Sequence, residues 1–115
     1  MENLLIAVRS EALAAALSDA LTQYHVHICH NGSQAVELIN TIRPKILILD
    51  LRLPVLDGFS VLRRVDYTPP VILGLTDILM DSMLRYAHSA GIGNLVLLPC
   101  SASRIVTQLS TLVCL

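Results

Sequence analysis

Asp50 is the residue whose setting most invites chemistry. It ends an unbroken apolar run, Ile46 to Leu49, that begins just after Pro44 and Lys45. Such a run reads as a strand buried on both faces, as in the middle of a parallel sheet. In open α/β sheets, ligand chemistry sits just beyond the carboxyl ends of central strands. A carboxylate at that place is a candidate for such chemistry. Pro54 and the pair Asp57-Gly58 follow it in the next loop.

Other reactive residues are less well placed. His25, His27 and Cys29 alternate along one strand face. Zinc accepts such ligands, but no fourth ligand stands at a recognisable spacing, so the stretch reads as an exposed polar edge strand. Thr76 as a nucleophile would need a base, and no His is obviously near it. Arg63-Arg64 reads as a solvated helix face. No Gly-rich phosphate loop follows the first apolar strand, which counts against a nucleotide binder.

Composition narrows the class. The chain has 115 residues, enough for one domain. Hydrophobic residues make up 54% and charged residues 15%, the reverse of a disordered chain. The apolar share exceeds the usual ~45–50%, so either both sheet faces are covered or some apolar surface awaits a partner. A net charge of −1 leaves no footprint for nucleic acid on this domain. Cys29, Cys100 and Cys114 are neither a disulfide framework nor a zinc pattern; they read as small buried hydrophobes in a reducing compartment. Glu2 and the short run Leu4 to Val8 do not make a signal peptide. No stretch reaches the ~20 apolar residues of a membrane span, so a cytoplasmic protein is expected.

The elements that would position Asp50 alternate regularly. Strands are expected at Leu4–Val8, His25–His30, Ile46–Asp50, Val71–Leu75 and Asn94–Leu98. Helices are expected at Ala12–Tyr24, Gln34–Ile42, Phe59–Val65, Met80–Ala90 and Ala102–Val113. Ser10 suits an N-cap, and Leu13, Ala16, Leu17, Ala20, Leu21 and Tyr24 recur at helical spacing after it. Asn31-Gly32-Ser33 opens the second helix, and Pro69-Pro70 breaks the chain before the fourth strand. Alternation of this kind implies βαβ units, a parallel sheet and helices on both faces.

Asp50, Pro54 and Asp57-Gly58 together resemble the phosphoacceptor segment of response-regulator receiver domains, and the resemblance runs over essentially the whole chain, residues 1–115. It implies a flavodoxin-like (βα)5 three-layer sandwich with strand order 2-1-3-4-5. It places Asp50 at the phosphoacceptor and Thr76 at the hydroxyl that binds the arriving phosphoryl group. The departures are as informative. Val8 and Arg9 stand where two acidic residues would help hold Mg²⁺, Leu98 replaces the lysine before Pro99, and Leu95 replaces the switch aromatic. The resemblance also implies a cis peptide before Pro99. Mg²⁺ requires hard oxygen ligands in octahedral array, and the only spare acid nearby, Glu11, suits a helix start better. Loss of Mg²⁺ binding is therefore expected. Arg9 either pairs with Asp50, its planar fork matching the carboxylate, or points to solvent.

The favoured expectation is an atypical receiver of a two-component system, not an enzyme, that works by dimerisation or partner association. The resemblance puts that surface on the fourth helix, fifth strand and fifth helix, with Asp81, Arg85, His88, Arg104 and Gln108 amid apolar residues such as Ile105. Competing readings are a conventional receiver phosphorylated on Asp50 and a small α/β enzyme of another kind. The apolar ending Leu112 to Leu115 suggests the N-terminal part of a longer response regulator, with an output domain, often DNA-binding in the family, outside the chain.

Overall fold

A computed structural model describes residues 1–113. The sequence reading of Cys114 and Leu115 falls outside the described residues. Among the described residues five strands and five helices alternate. They are β1 (Asn3–Ala7), α1 (Glu11–Ala20), β2 (His25–Cys29), α2 (Gly32–Ile42), β3 (Ile46–Asp50), α3 (Gly58–Arg64), β4 (Val71–Thr76), α4 (Asp81–Ser89), β5 (Asn94–Leu97) and α5 (Ala102–Ser110). All strand pairings are parallel and the order is β2-β1-β3-β4-β5, the flavodoxin-like arrangement.

The sheet divides the apolar residues by the period of two that a strand imposes. Leu4, Ile6, Ile46, Ile48, Leu73 and Leu75 face α1 and α5, meeting Leu17, Leu21, Ile105 and Leu109. Leu5, Ala7, Leu47, Leu49 and Ile72 face α2, α3 and α4, meeting Ala35, Ile39, Val61 and Ala87. Both faces are covered, which is why the central strands show no polar alternation. The edge strand β2 is half exposed, but not in the alternation its sequence suggests: Ile28 is exposed and Cys29 is buried where α2 covers the end of the strand.

Two helices stop earlier than their periodicity suggests. The helix expected to reach Tyr24 ends at Ala20, and Leu21 turns inward to full burial. The His25 N–H then meets the Glu2 carbonyl at 2.8 Å and starts β2 beside β1. Ala16 and Ala20 are exposed, and the buried contacts fall to Ala14, Leu17 and Leu21 instead. Likewise α5 closes at Ser110, where the Thr111 hydroxyl and the Leu112 N–H bond back to Gln108 and Leu109.

Caps fix the other boundaries. Ser10, Asn31, Asp57 and Ser101 each accept a backbone N–H from the first turn of α1, α2, α3 and α5. Met80 precedes α4 without any side-chain cap. Gly32 presses the start of α2 onto the β3–α3 loop, donating its N–H to the Pro54 carbonyl at 3.0 Å. A Cβ at Gly32 would overlap the Leu56 carbonyl oxygen, a backbone atom with little room to retreat. Gly32→Ala is therefore expected to destabilise the domain by about 1–3 kcal/mol. Urea unfolding followed by circular dichroism measures this directly.

Candidate functional site

Parallel strands deliver their carboxyl ends to one edge of the sheet, and three of them build the site. Asp50 ends β3 and is 2% exposed. Its neighbours across the sheet are Leu75 of β4 and, through the chain that leaves β1, Val8 and Arg9. A carboxylate this deep has to be satisfied by donors or counter-charge. The Arg9 guanidinium gives both: its Nε donates to Oδ2 at 2.7 Å. The Arg9 backbone N–H reaches the same oxygen at 3.2 Å, and the Arg52 N–H donates to Oδ1 at 3.0 Å.

The charges continue outward as a chain of alternating sign. Arg9 Nη2 lies 3.8 Å from Asp77 Oδ1, and Arg52 Nη1 lies 3.3 Å from both Asp77 oxygens. Three loops, after β1, β3 and β4, are joined in this way. The hydrogen bond to Asp50 raises the Arg9 pKa above the ordinary arginine value; burial opposes the rise, and the charges of Asp50 and Asp77 add to it. Arg52 and Asp77 are missed in the sequence analysis. Their positions just after the ends of β3 and β4 were the available signal.

The other expected site residues are placed nearby but do different things. Thr76 is fully buried at the end of β4. Its hydroxyl donates to the Ile78 carbonyl at 2.8 Å and accepts the Ile78 N–H at 3.2 Å, a local turn that shapes the next loop. Val8 is buried in the core beneath α1. Leu98 packs against that same core, and the Leu98–Pro99 peptide is cis. Asp57 caps α3, accepting the Ser60 N–H at 2.9 Å and the Ser60 hydroxyl at 3.0 Å. Burial alone would raise its pKa, but those bonds and Arg63 more than offset this, and it lies below the ordinary carboxylate value. Val55, exposed in the same loop, takes a left-handed φ of 73° that is unusual for a β-branched residue.

The donor set does not suit Mg²⁺. Both Asp50 oxygens are engaged by arginine groups, Asp57 is held by its helix, and Arg9 sets a cation beside the carboxylate. Among the described residues no three His, Cys, Asp or Glu side chains gather as a metal site. The His25 and His27 rings lie 4.6 Å apart, and His27 shares a hydrogen bond with Asn3 Oδ1. Burial, and then His25, lower the His27 pKa. Burial pushes the Cys29 thiol up to about 11, so it stays protonated near neutrality. His30 fastens the β1–α1 loop through Nδ1 and the Val8 carbonyl, 2.9 Å apart.

The surface expected on α4, β5 and α5 needs one correction. Asp81, Arg85, His88 and Arg104 are exposed, and Gln108 is half-buried, accepting from Asn94 Nδ2 at 2.7 Å. Ile105 is fully buried and touches the core, because it lies on the same stripe of α5 as Leu109. The exposed large apolar residues of this region are Ile78, Leu79 and Met80 before α4, Leu84 and Tyr86 on it and Leu97 at the end of β5.

Comparison with known proteins agrees with this architecture. The family model of the response regulator receiver domain matches residues 5–110. The transcriptional regulatory protein TrcR of Mycobacterium tuberculosis is 31% identical over 75% of this chain, which spans 34% of that protein. The chain thus covers about a third of the curated relatives it matches first. The non-phosphorylated HemR receiver domain of Leptospira biflexa superposes with a TM-score of 0.86 at 22% identity, covering 100% of this chain and 96% of that one. A receiver domain of a Pseudomonas aeruginosa sensor histidine kinase, with magnesium coordinated in its active-site cleft, gives 0.77 at 24% identity over 96% and 95% of the two chains. These two likenesses speak for the fold, and the family match with the buried carboxylate at the end of β3 for kinship: the chain belongs to the response regulator receiver domain family.

Proposed function

We propose that this chain is an atypical receiver of a cytoplasmic two-component response regulator, in which Asp50 no longer accepts a phosphoryl group with Mg²⁺. The observation that carries the reading is the Arg9 Nε 2.7 Å from Asp50 Oδ2. Phosphoryl transfer in such a site depends on positioning and on neutralising charge at the transferred group. An arginine bonded to the carboxylate engages one of its two oxygens and adds a fixed cation where an exchangeable one is needed. Leu98, turned into the core, leaves no second cation at the end of β5.

The domain then works as a binding module rather than an enzyme. Its association surface is the α4, β5 and α5 face, where Leu84 and Leu97 stand exposed among Asp81, Arg85, His88 and Arg104. Exposed apolar residues gathered in one region favour a protein partner, here a second copy of the chain. Relatives described as transcriptional regulators support an output domain that controls transcription, with DNA bound there and not by this domain.

Intact mass after exposure to acetyl phosphate tests the first part. No phosphoryl addition to folded protein is expected, with Mg²⁺ or with chelator; Mg²⁺-dependent addition at Asp50 would restore the conventional receiver. Removing the counter-charge by Arg9→Met should destabilise the domain by about 1–3 kcal/mol in urea unfolding. That is less than for a fully buried pair, because the Arg9 side chain is 36% exposed. A change within a few tenths would mean that backbone donors alone satisfy Asp50. For the surface, Leu97→Glu should lower the dimer fraction in sedimentation velocity at matched concentration. An unchanged distribution would place association elsewhere.

A further inference from the structure

On the sheet face away from α1 and α5, a groove opens between α3 and α4. Its volume is about 570 Å³, and a second hollow of about 240 Å³ continues it past Phe59, Arg63 and Tyr86. Sites for small ligands commonly measure roughly 300–1,000 Å³ and combine apolar walls with a few polar groups. Here Leu51, Phe59 and Met83 supply apolar wall, and Phe59 meets Tyr86 edge to face with centroids 4.7 Å apart.

The polar part of the lining is lopsided in charge. Asp57 is its carboxylate, and both oxygens are already spent on Ser60. Arg63 gives Nη1 to the Tyr86 hydroxyl at 2.7 Å and Nη2 to Ser60 Oγ at 3.0 Å, both neutral acceptors. Among the described residues no carboxylate comes within ion-pair distance of Arg63. Arg52 also lines the groove, with Nη1 alone turned to Asp77. Two guanidiniums therefore border an aromatic cleft against one carboxylate, Asp57, whose oxygens accept from Ser60 and whose charge Arg63 partly balances. Guanidinium groups bind carboxylates through paired N–H donors and also favour flat π systems.

We infer that this groove binds a small planar aromatic carboxylate, its ring against Phe59, Met83 and Tyr86 and its carboxylate held by Arg63 and Arg52. Asp50 does not line the groove, but Arg52 joins the two, since its backbone N–H donates to Asp50 Oδ1 at 3.0 Å. Because Arg52 also holds Asp77, an anion bound there bears directly on the loop between β4 and α4.

An amide-resonance NMR titration of the whole chain with naphthoate tests the site. Saturable shifts centred on α3 and α4 are expected. The Kd should weaken about tenfold or more in Arg63→Ala and in Arg52→Ala, and for the neutral naphthalene carboxamide with the unaltered protein. Lys45→Ala, at the far end of β3 where the ammonium pairs with Glu2, should retain the original Kd. All variants are compared only where their spectra stay dispersed. The inference is overturned by an absence of saturable shifts, by a carboxamide that binds as tightly as naphthoate, by a Kd that neither groove arginine changes, or by equal loss in Lys45→Ala.

Discussion

The structure depends on how a carboxylate survives at the buried end of β3. Asp50 is almost without solvent, and an unpaired charge in such a place is costly by several kcal/mol. The fold meets this with two backbone N–H groups and one guanidinium. That solution has a chemical consequence. A metal ion leaves and returns, keeps waters, and shares itself between protein and ligand. Arg9 is tethered by its own backbone, one residue beyond Val8 in the core, and offers a charge that does not come and go. Under the proposed function, the domain thereby exchanges a conditional neutralisation for a permanent one.

The network also explains why the loops around the site are held together. Arg9 ties the β1 end to the β3 end, and Arg52 and Asp77 tie the β3 end to the β4 end. The outer contacts are half exposed and individually weak, since water competes for them. Their common geometry still matters, because Asp77 leads directly into Ile78, Leu79 and Met80, the exposed apolar stretch before the uncapped start of α4. The position of that stretch is set from one side by the Thr76 turn and from the other by the two arginines.

Much of this was legible in the sequence for a simple physical reason. A strand covered on both faces leaves a continuous apolar run, and β1, β3 and β4 are read from such runs with little ambiguity. Asp50 stood out because it ended one. Helix ends were harder. Leu21 and Tyr24 keep helical spacing after the helix has stopped, since the core they enter also surrounds the turn that follows. Ile105 could be assigned to a surface because periodicity gives a stripe but not the neighbour it faces; the contact with Leu109 and the sheet decides it. Arg52 and Asp77 lie in loops, where side-chain direction follows from backbone geometry that no repeating pattern encodes.

The departures from the receiver pattern are best understood together. Leu98 without Arg9 would leave Asp50 short of positive charge; Arg9 beside a retained lysine would crowd two cations at one carboxylate. The observed pair of residues avoids both, with leucine partly buried against the core and arginine bonded to the acid. Under the proposed function, a domain that surrounds Asp50 this way uses the carboxylate as a structural anchor. On that same reading Asp50 has a structural role that needs no modification, and signalling falls to surfaces that other molecules can reach.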